Sequence, residues 1–198
     1  MPTLKEVKLY LTGLWLLFQR DTKGFSFLDL TDRGALRSFW AMAWAAPAIL
    51  VSWLWWRAAY LAVMPLGTET GPVFFFRLAL VEVANWLMPL VLAGLLAWAL
   101  GIGPRFAAIV TVTNWLALPV SYAYAALIVL MVVLPALKGL LTILWLVLLL
   151  TLVFALFRVL RMVLGDHTLT VATMTMVLLV PTMLLSELLE RYLGVFPG

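Results

Sequence analysis

The stretch Phe106–Phe157, FAAIVTVTNWLALPVSYAYAALIVLMVVLPALKGLLTILWLVLLLTLVFALF, decides the fold of this chain. At roughly 50 residues it is too long for one helical crossing of a hydrocarbon core about 30 Å thick, which takes about 20 residues. Pro135 and Lys138 mark a very short turn within it. The stretch therefore reads as two spans, 106–134 and 137–157, joined as an antiparallel hairpin. The longer one can tilt or bend, with Pro119 as the expected kink.

Three more apolar runs of spanning length flank this hairpin. The first is expected at 39–60, or on to Met64 if Arg57 snorkels, with Trp40 and Trp44 at one interface and Trp53, Trp55, Trp56 and Tyr60 at the other. The second is expected at 78–100, between the turn-rich loop Gly67–Pro72 and Gly101-Ile102-Gly103-Pro104. The last is expected at 169–189, after a loop containing Arg158, Arg161, Gly165, Asp166 and His167. The predicted fold class is all-α: a polytopic integral membrane protein with a bundle of five transmembrane helices, in a 39–198 domain behind a polar 1–38 segment.

Composition says the same by another route. Of 198 residues, 66% are hydrophobic and 11% charged, and the mean hydropathy is +1.12. A soluble domain carries about a quarter charged residues to wet its surface. Here the apolar surplus has to face hydrocarbon. The chain has no cysteine and one histidine, which excludes disulfides, thiolate chemistry and multi-histidine metal sites. No catalytic set or phosphate-binding loop occurs, so neither an enzyme nor a cofactor is expected. The net charge of +4 sits in short flanks and loops, which suits membrane orientation and not nucleic acid. Met1–Arg20 lacks the h-region of a cleavable signal, so insertion is expected to begin with the first span.

Within residues 1–38, Leu4, Val7, Leu11, Leu14, Trp15 and Phe18 recur at helical spacing, with Lys5, Lys8, Thr12 and Gln19 opposite. This is a basic amphipathic helix, expected to lie in the headgroup plane with Lys5, Lys8, Trp15, Arg20 and Lys23 touching lipid. The alternative is a helix packed on the cytoplasmic face of the bundle. Asp21-Thr22-Lys23-Gly24 ends it, and Asp29-Leu30-Thr31-Asp32 supplies cap residues for a short helix leading into the membrane. With the N-terminus inside, nine Lys and Arg lie on the inner side: Lys5, Lys8, Arg20, Lys23, Arg33, Arg37, Arg105, Arg158 and Arg161. Four lie outside: Arg57, Arg77, Lys138 and Arg191. The positive-inside bias therefore puts the N-terminus in the cytoplasm and the C-terminus on the opposite side.

Few polar residues fall inside spans. Ala41, Ala45, Ala48 and Ser52 form a small-residue stripe in the first, and Thr168, Ala172, Thr175, Thr182 and Ser186 form one in the last. Such stripes read as helix-packing seams, and a polar groove along the last span is the functional alternative. Glu82 is the one acidic residue well inside a span, with Asn85 one turn on. It can carry a proton, bind a cation or pair structurally. A start at Leu78 puts it only about 6 Å deep, level with Tyr122 and Tyr124 and near Arg57, Arg77 and Lys138, which favours a pair with a cation or a tyrosine hydroxyl. Asn114 near mid-span is expected to bond across helices. Glu82, Asn85, Asn114 and Tyr122 make up the candidate intramembrane polar site. Asp166 reads as an N-cap of the last span.

The C-terminal half, about 100–185, resembles the Yip1 family of five-span membrane proteins. The resemblance lies in the turn Gly101-Ile102-Gly103-Pro104-Arg105, in Trp115-Leu116-Ala117-Leu118-Pro119, in the Pro135–Gly139 hairpin, in Arg158-Val159-Leu160-Arg161-Met162-Val163-Leu164-Gly165, and in Pro181. It implies five spans, a cytoplasmic N-terminus and, for the bacterial-type group, an inner (plasma) membrane location. The leading functional expectation is a non-enzymatic scaffold or accessory protein working through helix contacts with a membrane-protein partner or as a homo-oligomer, in a lipid bilayer. The other class is a small transporter or channel subunit whose polar path involves Glu82, Asn85, Asn114 and the fifth span.

Overall fold

In a computed structural model, which describes residues 1–197, the chain forms seven α-helices and three short 3-10 turns, with no strand among the described residues. The helices are α1 (Leu4–Phe18), α2 (Asp32–Ser38), α3 (Trp40–Val63), α4 (Pro72–Ala99), α5 (Phe106–Val133), α6 (Lys138–Leu164) and α7 (Thr168–Tyr192). Five stretches are long and apolar enough to cross a membrane: Asp32–Val63, Pro72–Ala99, Gly103–Val133, Pro135–Leu164 and Thr168–Tyr192. The hairpin expected from the opening stretch forms, closed by Pro135–Leu137.

Helix ends differ from the sequence reading where a local signal was passed over. α4 begins at Pro72, not near Leu78, because Pro72 occupies the first helical position, where its missing N–H costs nothing. α6 runs to Leu164, so Arg158 and Arg161 lie in its last two turns and not in a loop. Nothing before Gly165 breaks it, and Gly165 does so with φ +86°; cations also suit the negative end of a helix. Asp166 does not cap α7. It accepts from Arg161 (Nη2 to Oδ1, 2.8 Å), and His167 stands at the N-cap without a side-chain capping bond.

The architecture centres on α5, which lies along α3 and α6 and also meets α1 and α2, while α4 lies along α7. Ala41, Ala45 and Ala48 on α3 are buried, so the small-residue stripe faces protein; Ser52 is half-buried and donates to the Ala48 carbonyl of its own helix (3.3 Å). The stripe expected on α7 is displaced. Thr168 is exposed at the first helical residue and Ala172 is half-buried, while the buried face is Val171, Met174, Thr175 and Leu178. Larger side chains thus carry the seam of α7, which meets α4 and α6.

The amphipathic α1 divides its apolar residues between two surfaces. Val7, Leu14 and Leu17 are buried, α1 meets α5 and α6, and the Tyr10 ring lies 4.7 Å from that of Trp115. Leu4 and Trp15, grouped with the buried stripe by spacing, are exposed, as are Lys5, Lys8, Arg20 and Lys23. Thr3 and Glu6 make a reciprocal capping box, and Glu6 also accepts from Arg37 of α2 at 2.9 Å. The Thr3 backbone N–H, then Arg37 and the Thr3 hydroxyl, hold the Glu6 carboxyl below the usual carboxylate range. The chain turns back on α1 through two glycines. A Cβ on Gly24 would stand 2.5 Å from the Gly13 carbonyl oxygen, and one on Gly13 would stand 2.8 Å from that of Gly24.

Two outcomes follow. Gly24→Ala is expected to destabilise the protein by about 1–3 kcal/mol through overpacking, read as a lower thermal midpoint in detergent. Gly139→Ala, where a Cβ meets nothing within 4 Å, should leave the midpoint unchanged or raise it; equal midpoints for both variants would count against the close approach. The second concerns acid. A carboxylate whose pKa is depressed on folding stabilises the fold above its unfolded pKa, and that contribution is lost as pH falls through the lower folded value. The protection factors of amides 4–10, the exchange rates corrected for their intrinsic pH dependence, should therefore fall on acidification through the carboxylate range, and those of Glu6→Gln should already be low at neutral pH and stay level.

Candidate functional site

With α4 starting at Pro72, Glu82 stands ten residues in, about 15 Å along the helix at ~1.5 Å per residue. It thus stands further along the helix than a start at Leu78 implies. No cation pairs with it. The three ion pairs among the described residues are Arg37–Glu6, Arg161–Asp166 and Arg191–Glu187. The cations expected nearby are engaged elsewhere: Arg57 Nε donates to Thr70 Oγ1 (2.5 Å), and Arg77 Nη1 donates to the Leu193 carbonyl (2.9 Å). The expected pair with a cation does not form: one guanidinium is held by a hydroxyl of the α3–α4 loop and the other by the carbonyl that ends α7. The Trp53 indole stands beside the Glu82 carboxyl group instead.

Glu82 and Asn85, one turn apart, line two adjoining cavities. The first, about 330 Å³, lies between α3, α4 and α7; Ser52, Trp53, Tyr124, Ser186, Glu187 and Glu190 also line it. It is a polar chamber. Asn85 Nδ2 donates to Ser186 Oγ (3.1 Å), and Ser186 Oγ donates to Glu190 Oε1 (3.0 Å). The C-terminal tail folds back beside it: Phe196 is part of its lining, Val195 is buried, and the Val195 carbonyl accepts from Trp56 Nε1 (2.9 Å). The second cavity, about 250 Å³, reaches further into the bundle, to Trp86, Thr113, Asn114 and Thr182. Asn85 Oδ1 and Thr113 Oγ1, from two residues lining this cavity, are buried and have no hydrogen-bond partner among the described residues. Such atoms cost about 1–3 kcal/mol each unless water or a ligand meets them.

Of the four residues expected to form the polar site, the structure brings three together. Asn114 is buried at 1% exposure; its Nδ2 donates to Ser38 Oγ (2.8 Å) and its Oδ1 accepts from Trp86 Nε1 (2.9 Å). It bonds across helices as expected, and its side chain is occupied in doing so. Tyr122 does not belong to the site: it is 46% exposed and donates to the Trp44 carbonyl (3.1 Å). Two residues on, and so about 200° around the helix at ~100° per residue, Tyr124 takes its place in the chamber lining. Thr182 and Ser186 reach the cavities; Thr168, Ala172 and Thr175 do not.

Sequence reasoning missed Glu190, Glu187 and Thr113, and placed Tyr124 level with Glu82 without including it in the site. Ending the last span at Leu189 hid Glu190, although the spacing Thr182, Ser186, Glu190 continues one helix face and was the available signal. Among the described residues no group of three or more His, Cys, Asp and Glu could hold a metal ion. Comparison with protein-family models, with characterised proteins and with solved structures found no match to this chain.

The Asn114 links yield a direct test. Asn114→Leu removes the acceptor of Trp86 and a partner of Ser38, and should lower unfolding stability by about 1–2 kcal/mol. Combined with Trp86→Phe, the loss should be less than additive in a double-mutant cycle; strict additivity would show that the two side chains are not coupled.

Proposed function

We propose that this is an integral membrane protein whose five long helices cross a bilayer, and that it acts as a small carrier or channel subunit binding a proton or small cation at Glu82. The observation that carries this reading is a carboxyl group without a cationic partner, set well inside a span-length helix and opening on a polar chamber and on an adjoining, mostly apolar cavity that holds Thr113 and Asn114. An ionisable group kept at that depth is expensive unless it serves a path or a ligand. Asn85, Ser186 and Glu190 add neutral and acidic oxygens beside it. Asn114 and Thr113 extend the polar lining toward the opposite end of the bundle.

Orientation is supported by how the basic residues collect at the two ends. Arg105 donates to the Val163 carbonyl (3.1 Å), Arg37 pairs with Glu6, and the Arg158 guanidinium lies 5.2 Å from the centre of the Phe18 ring. These contacts gather the inner-side cations and α1 at one end, which we assign to the cytoplasm by the positive-inside rule. The exposed Lys5, Lys8, Trp15, Arg20 and Lys23 then suit an anionic headgroup layer while the other face of α1 packs on α5 and α6. A plasma-membrane location, the bacterial inner membrane in the Yip1-like reading, fits this arrangement. The scaffold reading draws on exposed apolar helix faces, which lipid alone would cover; the chamber distinguishes the carrier reading.

The chain lacks cysteine, which makes the test simple. In proteoliposomes, Ser52→Cys in the chamber should react with a charged, water-soluble maleimide, and methylammonium should slow that reaction several-fold with Glu82 present but not in a Glu82→Gln background. Leu144→Cys, on the exposed face of α6, should stay unreactive. A Ser52→Cys no more reactive than Leu144→Cys, or methylammonium protection that survives Glu82→Gln, would defeat the proposal.

A further inference from the structure

α3 and α4 are consecutive in the chain, yet α3 lies along α5 and α4 along α7. The pair is left parted by an apolar fissure of about 570 Å³, with Met42, Ala46 and Leu50 on one side, Ala79 and Val83 on the other, and Glu82 in its wall. Along α3 the lining runs from Trp40 to Trp53, about 20 Å at ~1.5 Å per residue, with Leu36 of α2 beyond it. Glu82 and Trp53 belong both to this fissure and to the polar chamber. An apolar slot open on the outer face of the bundle thus leads to an unpaired carboxylate and a polar room behind it.

We propose that the fissure admits a single-chain amphiphile with a primary-ammonium head: the alkyl chain lies between α3 and α4, and the head enters the chamber at Glu82. The inference rests on the reading that Glu82 binds a cation, and it names the class of cation. Three features select this occupant. Charge complementarity calls for a cation, because Glu82 is not among the ion pairs of the described residues. The length and apolar lining call for a chain, since a hydrated inorganic ion gains nothing from Met42, Ala46 and Leu50. Taking Pro72 as the level at which α4 enters the bilayer, Glu82 lies about 15 Å below the headgroups that hold a two-chain phospholipid; a free alkylamine can sink to that level. A packed transmembrane helix, about 10 Å across, does not fit a slot of this volume over its length.

The test uses the whole protein in phosphatidylcholine nanodiscs with a dodecylamine carrying a diazirine in its chain. After irradiation, peptide mass spectrometry should place the label on Met42–Leu50 and Ala79–Val83, with at least tenfold less in Glu82→Gln. Excess dodecylamine should compete, while dodecanol and added phosphatidylethanolamine should not. Competition by dodecanol equal to that of dodecylamine would mean apolar filling only, and competition by phosphatidylethanolamine would mean an ordinary lipid; either result overturns the inference. Labelling unchanged in Glu82→Gln does so too. If the label falls outside the fissure while methylammonium still protects Ser52→Cys, the chamber reading stands and only this inference falls. Loss of that protection would end both.

Discussion

The Asn114 side chain donates to Ser38 and accepts from Trp86, and through one amide α5 is tied both to the α2–α3 segment and to α4. The arrangement of the other helices depends on this connection. In helices long and apolar enough to cross a membrane, burying more Leu or Val would favour no particular arrangement with hydrocarbon outside, which is an equally good solvent. Hydrogen bonds between side chains are then among the few interactions with a preferred geometry. Thr111, one turn before Asn114, donates to the Asp29 carbonyl (3.3 Å), and Tyr122 donates to the Trp44 carbonyl (3.1 Å). Three polar groups on α5 thus hold the segment leading into α3 and the start of α3 itself. The alanines of α3 let the two backbones come close enough for these bonds to form.

On the far side of α4 the polar groups behave differently. Asn85 and Ser186 bond each other, but Asn85 Oδ1 is left without a partner and Glu82 without a cation. The same residue types that lock α5 to α3 here line open space. That contrast separates structure from site: where polar atoms satisfy one another they position helices, and where they remain unsatisfied beside a cavity they are free to meet something else. The chamber is also shaped by groups that never enter it. Arg57 and Arg77, the cations expected near Glu82, are bonded to Thr70 and to the Leu193 carbonyl instead.

The N-terminal helix shows how much a helix face can hide from periodicity. Leu4, Val7, Leu11, Leu14, Trp15 and Phe18 form one apolar stripe on a helical wheel. Packing splits it: Val7 and Leu14, joined by Leu17, turn inward, while Leu4 and Trp15 turn out. Gly13 and Gly24 make this possible, since their missing side chains let the returning chain lie directly on α1. One helix can therefore hold to protein on one side and offer Trp15, Lys5 and Lys8 on the other.

Much of the architecture was legible in the sequence, because span length and hydropathy are one-dimensional properties. Five apolar runs, the Pro135 turn, the cap at Thr31 and the cross-helix role of Asn114 could all be read from order and spacing. Helix ends were less legible: Pro72 and Gly165 carry the boundaries of α4 and α6, and reading Pro72 as a loop residue shortened the helix ahead of Glu82. The pairing of helices was not legible at all. Hydropathy says that a helix has an apolar face but not which neighbour covers it, so nothing in the sequence indicated that α3 would pair with α5 and α4 with α7. That choice, made by side-chain shape and by the few cross-helix hydrogen bonds, opened the fissure between consecutive helices. It also brought Glu190 beside Asn85 and left Glu82 without the cation that proximity in sequence had suggested.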